Sequence, residues 1–185
     1  MNIFILDESP VKAAQLQCDK HVVKMILESA QMLSTAHRLL DGRMVLSKSK
    51  SGRSAKEWKL EDEVLDTVLY KAVHVGHPCT IWTMESISNY NWHFQHYKAL
   101  AEEYEYRYGK THKSFTDLEH YLVNPPQNIP YSCATPFKLA MRVAPECMNE
   151  WDPVGSYRAF YQTKQARFKM SWTKRNIPEW FKVAA

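Results

Sequence analysis

The sequence has few glycines and no glycine-rich phosphate-binding motif. Only five of its 185 residues are glycine. Walker phosphate loops, dinucleotide-binding fingerprints and seryl-hydrolase elbows all need glycines at fixed spacing, and none of these patterns occurs. We therefore expect none of these three kinds of site.

Cysteine pairs and recognisable metal motifs are also missing. The four cysteines are scattered without a C-x-x-C pair, which favours free thiols in a reducing cytoplasm over a disulfide framework. Cys18-x-x-His21 and His74-x-x-His77-x-Cys79 contain the ligand types that zinc takes, and a zinc site is the alternative use of these side chains. Their spacing matches no zinc module, so we expect no metal and no cofactor.

No hydrophobic run approaches the length of a membrane-spanning helix. The N-terminus has no basic segment followed by a long apolar core, so it does not read as a secretory signal. With 45% hydrophobic residues, the chain can bury a sizeable core as one domain over residues 1–185. We expect a soluble protein in the cytoplasm of a bacterium or of a phage-infected host cell.

Charge of one sign is not strongly in excess. The net charge of +4 permits nucleic-acid binding without requiring it. Six tryptophans and ten tyrosines, several of them beside basic residues, fit a surface that stacks on bases. They fit an aromatic core equally well.

One stretch, residues 19–38, has the pattern of a mostly buried helix with a narrow polar stripe. Most of its circumference is apolar, far wider than the apolar face of an ordinary surface helix. The stripe either lines a cleft or is solvated, with Lys24 and Glu28 as an i,i+4 ion pair. At about 100° per residue, the residues within roughly 80° of one another are Lys20, Lys24, Glu28, Gln31, Thr35 and Arg38.

The remaining pattern predicts an all-α, compact helical bundle with long irregular loops. Two segments lack helical periodicity: a mobile basic loop over 43–59, which includes Lys48, Lys50, Arg53 and Lys56, and a Pro-rich irregular segment over 124–147. Residues 173–185 form a basic and aromatic tail. Helices are expected over about 11–40, 58–75, 81–108, 114–123 and 154–172.

A second polar and aromatic stripe is expected on the long helix over 81–108. It is followed by a basic loop over 107–113 and preceded by a Gly-His-Pro turn that contains His77. We expect these regions to contact nucleic acid. The residues singled out are His77, Asn89, Trp92, His96, Arg107, Lys110 and His112.

Glu28 is the strongest candidate for a catalytic carboxylate. Partial burial would raise the pKa of a carboxyl group there, whereas a lysine one turn away would lower it. Such a position allows the protonation state to be tuned. A simple ion pair explains the residue nearly as well.

Scattered blocks covering about half of the chain resemble the pyrimidine-dimer DNA glycosylases, the small all-helical bacteriophage endonuclease V type and its bacterial relatives. The blocks are Lys20-x3-Lys24-x3-Glu28-x2-Gln31, Gly76-His77-Pro78, Arg107-Tyr108-Gly109 and Pro178-Glu179-Trp180-Phe181-Lys182. An ungapped match from the N-terminus would place Val23 at the catalytic position. A longer entry loop places Glu28 there.

The resemblance implies a DNA glycosylase and lyase. In that family the N-terminal α-amine attacks C1′ of a damaged nucleotide, a glutamate on the first long helix assists, and an imine forms before strand cleavage. Carried over, Met1 supplies the amine, because Asn2 is bulky enough for Met1 to be retained, and Glu28 is the carboxylate. An α-amine has a reference pKa of about 8, which leaves a useful neutral fraction.

The resemblance also assigns residues to DNA binding. Lys20, Lys24 and Gln31 would face phosphate or the opened sugar, and the tail with Trp180 and Lys182 would pack against duplex DNA with a flipped base. Two other functions remain open: an enzyme acting on a nucleotide or modified base on the same scaffold, and a non-catalytic module that binds nucleic acid or protein.

Overall fold

The computed structural model describes residues 1–48, 52 and 54–184 of the chain. Lys50 and Arg53 of the predicted basic loop, and the last residue of the predicted tail, lie outside the described residues. The described part is mainly helical, with one small sheet and two 3₁₀ turns at Pro145–Cys147 and Thr163–Ala166. Its elements are α1 (Pro10–Gln15), α2 (Asp19–Asp41), β1 (Arg43–Lys48), β2 (Ser54–Lys59), α3 (Glu63–Val68), α4 (Pro78–Glu85), α5 (Ile87–Tyr108), α6 (Lys113–Leu122) and α7 (Pro153–Gln162).

Helix α2 lies at the centre of the packing, against α4, α5 and α6. Its apolar positions are fully buried at Val22, Ile26 and Leu33, as the wide apolar face predicts. Val23 and Leu27 differ from this expectation, since each is 38% exposed. They lie beside the polar stripe of α2.

The start of the chain runs through the core without regular secondary structure. Ile3, Phe4, Ile5 and Leu6 are each 5% exposed or less, and burial of each such side chain is worth about 1.5–3 kcal/mol. This segment anchors the amino terminus beside the middle of α2. The first predicted helix, over 11–40, is in fact the two helices α1 and α2.

The prediction of a mobile loop over 43–59 is wrong, because the described residues of this range form an antiparallel hairpin. Strands β1 and β2 pair from Arg43 with Lys59 to Lys48 with Ser54, and Met44 lies opposite Trp58. The run Met-Val-Leu at 44–46 has the β propensity that favours this pairing, and the high proportion of Lys, Arg and Ser masked that signal. The all-α prediction is therefore correct only as mainly helical.

Three predicted helices are shorter than expected or interrupted. The helix over 81–108 breaks at Ser86, where the backbone is extended. The Ser86 hydroxyl caps α5 by accepting a hydrogen bond from the Asn89 N–H at 3.0 Å. The segment 58–75 contains only α3, since Trp58 belongs to β2. The segment 154–172 is helical only through α7 and the 3₁₀ turn that follows it.

The polar stripe of α2 is divided between two environments. Its C-terminal half is covered by α3 and the chain after it: the Thr35 hydroxyl accepts a hydrogen bond from the Val73 N–H at 3.1 Å, and the Arg38 guanidinium donates to Asp66 of α3 at 2.6 Å. Its N-terminal half, with Lys20, Lys24 and Glu28, faces a cavity or solvent. Among the described helices, none has the length and apolar composition that crossing a membrane requires.

Candidate active site

The amino terminus and Glu28 meet in the interior. The Met1 nitrogen lies 3.6 Å from Glu28 Oε2. Glu28 is 8% exposed, because the buried segment 3–6 brings the start of the chain against the middle of α2. The structure thus places together the two groups that the resemblance assigns to catalysis.

The Asn2 side chain and an unusual backbone conformation at Phe4 fix the position of the terminal amine. The Asn2 N–H donates to Glu28 Oε2 at 3.0 Å, Asn2 Nδ2 donates to the Ala140 carbonyl at 2.9 Å, and Asn2 Oδ1 accepts from the Phe4 N–H at 2.9 Å. Phe4 has a φ of 55°, a left-handed conformation that costs free energy for a residue with a side chain. Burial of the Phe4 ring offsets this cost and holds the turn.

Lys24 completes the contacts of Glu28. Its Nζ lies 3.0 Å from Glu28 Oε1, while its own side chain is 64% exposed. The i,i+4 ion pair expected for a solvated stripe is present, but only the lysine lies in solvent. The carboxylate therefore has the Met1 amine and the Asn2 N–H on one oxygen and an ammonium on the other.

These groups line a cavity of about 330 Å³. Its wall combines cationic and aromatic side chains with a single carboxylate. The segment 140–143, part of the predicted Pro-rich irregular stretch, closes one side. The lining residues are Met1, Asn2, Phe4, His21, Lys24, Met25, Glu28, Ala140, Val143, Phe160, Lys164, Arg167 and Phe168.

His21 belongs to the aromatic wall of the cavity. Its ring stacks on Phe4 at a centroid distance of 4.6 Å, and its Nδ1 lies 2.7 Å from the Tyr161 hydroxyl. Burial, with smaller contributions from the charges of Lys24 and Lys164, lowers the pKa of His21 to about 4. The imidazole is therefore neutral at physiological pH.

Lys164 is a cavity residue that sequence reasoning missed. It is 8% exposed, and its Nζ lies 3.3 Å from the centroid of the Phe160 ring. Burial first, and the charge of Arg167 second, lower the pKa of Lys164 to about 8. Nothing in the pattern around Lys164 indicated this role, since the residue lies in a segment predicted to be an ordinary helix.

His77 and Lys20 lie at the periphery of this site. The His77 ring caps α4 by accepting from the Cys79 N–H at 3.2 Å, and its pKa is lowered by burial and then by the charge of the amino terminus. The Lys20 ammonium lies 4.6 Å from the Phe168 ring centroid. Gln31, one turn beyond Glu28, is half-buried and does not line the cavity.

Three residues of the predicted second stripe have buried side chains with partners inside the protein. Asn89 bonds to Trp82 and Thr135. His96 bonds to Gln17. Arg107 bonds to Glu103 and Asp19. In this conformation these three residues cannot contact a ligand. Their polar groups instead form hydrogen bonds with partners inside the protein.

Three further predicted nucleic-acid contacts, on α5 and in the loop after it, are not part of the cavity lining. Trp92 donates from its indole N–H to the Glu8 carbonyl at 2.7 Å and stacks on His96. Lys110 is exposed, and His112 precedes α6 with its ring against Tyr104. None of the three lines the cavity at Glu28.

The C-terminal tail is folded back on the protein. Trp180 lies between the Tyr161 ring and the Arg158 guanidinium, which is 5.6 Å from its ring centroid. The Lys182 N–H donates to Gln162 at 3.0 Å, which leaves its ammonium exposed. The tail is therefore anchored along α7 through its backbone and its aromatic rings.

A second cavity, of about 630 Å³, lies on the other side of the segment 139–142. Its carboxylate, Glu85, is paired with Lys138 and accepts from the Thr135 hydroxyl. Lys138 and Thr135 both engage this one carboxylate, and neither the amino terminus nor Glu28 lines this cavity. We therefore place the candidate chemistry in the smaller cavity.

The donor set does not favour a metal at either histidine pattern. In the first pattern, Cys18-x-x-His21, the Tyr161 hydroxyl contacts both the Cys18 N–H and the His21 ring. Across residues 1–48, 52 and 54–184, no group of three or more His, Cys, Asp or Glu side chains is arranged to hold a metal ion.

The arrangement suits amine chemistry. A primary amine beside a carboxylate, shielded from bulk water and open to a cavity, can attack an electrophilic carbon while the carboxylate faces the positive charge that develops on nitrogen. The surrounding cations favour an anionic substrate. Comparison of the chain with family models, with curated proteins and with solved structures found no match.

Proposed function

We propose that this protein is a DNA glycosylase and abasic-site lyase that works through an imine on its N-terminal amine. The observation that carries the proposal is the 3.6 Å approach of the Met1 nitrogen to the buried Glu28 carboxylate in an open cavity. An ordinary terminal ammonium is solvated, because leaving water costs free energy unless a partner compensates. Here the left-handed backbone at Phe4, which costs free energy, and the buried N-terminal segment together hold the amine in the interior of the protein.

In the proposed reaction, the Met1 amine attacks C1′ of a nucleotide as the bond between C1′ and the base breaks. The base leaves with the bonding electron pair and takes a proton, and the amine loses a proton. The ring oxygen O4′ then leaves C1′ with its bonding pair and takes a proton, which opens the sugar ring and gives an iminium ion. Loss of a proton from C2′ then expels the 3′-phosphate by β-elimination. Water hydrolyses the imine and regenerates the amine.

Glu28 has two roles in this scheme. Before attack it holds the amine in place, with the Asn2 N–H on the same oxygen. During attack its negative charge lies beside the cation that forms on nitrogen and C1′, which lowers the barrier electrostatically. Proton transfer through such a carboxylate contributes a further factor of about 10²–10⁴.

The cavity supports a single extrahelical nucleotide as substrate. A volume of about 330 Å³ accepts one sugar and base but no duplex, so the target must leave the helix before it reaches Met1. The aromatic side chains Phe4, Phe160 and Phe168 offer faces for an unstacked base. Lys20, Lys24 and Arg167 would contact the flanking phosphates.

The free thiols of all four cysteines fit the proposed cytoplasmic setting.

Borohydride trapping tests the proposal. The purified chain is incubated with end-labelled duplex that contains one abasic site, or with ultraviolet-irradiated duplex, in the presence of sodium borohydride. We expect a covalent protein–DNA adduct. Glu28→Gln should reduce its rate of formation by about 10²-fold or more, whereas Glu105→Gln, an exposed glutamate on α5, should leave it unchanged.

A chain with two additional residues before Met1 moves the amine away from Glu28 and should lose the adduct while it keeps its helical circular dichroism. The intact mass of the purified chain shows whether it begins at Met1 or at Asn2. This matters because the backbone nitrogens of both residues lie near Glu28. Absence of any adduct on both DNA substrates would overturn the proposal. If salt-dependent duplex binding persists without an adduct, a non-catalytic module is the better account.

A further inference from the structure

We propose that the Lys164 ammonium binds a phosphate group of the substrate inside the catalytic cavity. This inference rests on the proposed function for the source of that phosphate, the nucleotide that enters the cavity. The anion site itself is defined by the geometry around Lys164 and can be measured without any chemistry at Met1.

Lys164 is held in an aromatic setting that places its ammonium at the cavity wall. Its Nζ lies 3.3 Å from the Phe160 ring centroid and 6.0 Å from that of Phe4. Cation–π contacts of this kind stabilise a buried ammonium in part. They leave its hydrogen-bond donors without an oxygen acceptor, since the protein offers none to Lys164 Nζ within the described residues.

The charges around the cavity are unbalanced. Among its lining residues, the cations are the Met1 amine, Lys24, Lys164 and Arg167, and the one carboxylate is Glu28. Glu28 is already engaged with Met1, Lys24 and the Asn2 N–H. In the described part of the chain, no carboxylate oxygen lies within 4.0 Å of Lys164 or Arg167.

An unpaired and nearly buried cation at the cavity wall favours an anionic ligand over a neutral one. Burial and the neighbouring charge of Arg167 lower the pKa of Lys164 to about 8, because both disfavour its charged form. A phosphate at hydrogen-bond distance would reverse this effect and gain a charge-assisted contact. A phosphate ester therefore complements the cavity where a neutral base does not.

The charged and titratable groups that face Lys164 come from several elements. Arg167 follows it in the chain, and Cys147 approaches from the turn at Pro145–Cys147. From α2, His21 and Lys24 line the same cavity, as do Glu28 and the amino terminus. Of these, His21 is neutral above pH 5 because its pKa is about 4.

Lysine resonances report directly on this site. The full chain is labelled with ¹³C at lysine Cε, and the Lys164 signal is identified by its loss in Lys164→Met. Without added anion we expect the signal to titrate near pH 8. With inorganic phosphate, and with a duplex that carries a tetrahydrofuran abasic analogue, we expect the midpoint to rise by about one pH unit.

Variants supply an independent readout. Lys164→Met should weaken binding of the tetrahydrofuran duplex by about tenfold and lower the slope of log K against log salt by about one, and Lys164→Arg should restore most of the affinity. Lys12→Met is the control, because Lys12 is an exposed lysine on α1 that does not line the cavity. It should bind as the unaltered chain does.

The two proposals fail in different ways. An unchanged Lys164 midpoint with both phosphate and duplex overturns the anion site, whatever the trapping experiment shows. A shift with inorganic phosphate alone also overturns it as a substrate contact. A borohydride adduct on Lys164 would make this residue a nucleophile and not a phosphate ligand. A shifted midpoint without any adduct keeps the anion site and removes the imine enzyme. If Lys164→Met fails to fold, loss of the same signal in Lys164→Arg identifies it, and the titration of the unaltered chain still decides.

Discussion

The Glu28 carboxylate accepts a hydrogen bond from the Asn2 backbone N–H at 3.0 Å, across 26 residues of sequence. This contact ties the start of the chain to the middle of the central helix. It also directs the adjacent Met1 nitrogen to the same oxygen. The candidate chemistry depends on this one link between the N-terminal segment and α2.

Asn2 is predicted to position the amine. In Asn2→Ala the side-chain bonds to the Ala140 carbonyl and from the Phe4 N–H are lost, which leaves polar backbone groups unpaired in a buried turn. We expect a loss of about 1–3 kcal/mol in the free energy of unfolding and a slower rate of imine trapping. Chemical denaturation and single-turnover trapping measure the two effects. Asn124→Ala, at an exposed asparagine, should change neither.

Lys24 is predicted to act on DNA affinity more than on stability. Its ammonium is largely in solvent, so Lys24→Met should lower the free energy of unfolding by no more than about 0.5 kcal/mol. If a phosphate replaces solvent at this position, the salt dependence of duplex binding should lose about one unit of slope. Titrations of duplex at several salt concentrations check this. The exposed Lys12 on α1, changed to Met, should keep the full slope.

Arg107 is predicted to be a structural residue. Its side chain is fully buried between Glu103 and Asp19, and Arg107→Met would leave the partly buried Asp19 without its cation and the buried Glu103 with Arg175 alone. We expect a loss of about 3–5 kcal/mol in the free energy of unfolding. Urea denaturation measures it, with the exposed Arg142→Met as control. A stable variant with selectively impaired DNA binding would instead restore Arg107 to a role in recognition.

Buried histidines predict acid sensitivity. Burial lowers the pKa of His21 and His37 to about 4 and that of His96 to about 3. An unfolded chain protonates these residues near pH 6.5, before the folded chain does, so stability is complete above pH 6.5 and is lost as the pH falls towards 4. Each residue contributes on the order of 3 kcal/mol.

His96 offers the cleanest test of this dependence. Its Nε2 lies 3.2 Å from the Gln17 amide nitrogen, so it accepts a hydrogen bond only while the ring is neutral. His96→Gln should flatten the fall in unfolding free energy between pH 6.5 and 4, measured by denaturation at fixed pH. The same change at His120, which lies on the outer side of α6, should not. Equal slopes in both variants would show that the buried imidazole is not the source.

Periodicity predicted the helices best where one apolar face is continuous. Residues 19–41 form the expected helix because Val22, Ile26 and Leu33 repeat on the face that packs against α5. Periodicity did not predict the break at Ser86, because the spacing of apolar residues does not report a local cap or the bond from the Ile87 N–H to the distant Pro130 carbonyl. The hairpin at 43–59 was missed because its exposed lysines outweighed a short β-favouring run.

The candidate site was predictable only in part. Glu28 stood out as a carboxylate within an apolar pattern, and the resemblance named the terminal amine. Lys164 and Phe160 could not be predicted, since more than 130 positions separate them from Glu28 in the sequence and only the packing of α7 brings them together. Asn89, His96 and Arg107 look like a surface stripe in sequence because buried polar networks and binding faces use the same residue types.

The site of covalent attachment tests the central claim most directly. The borohydride-trapped adduct with abasic DNA is digested with nuclease and trypsin, and the peptide that carries the residual sugar is identified by tandem mass spectrometry. The account predicts that the added mass lies on the α-nitrogen of the first residue of the chain and that Glu28→Gln gives little or none of it. Attachment to lysine side chains alone, or a full yield of terminal adduct in Glu28→Gln, would contradict it.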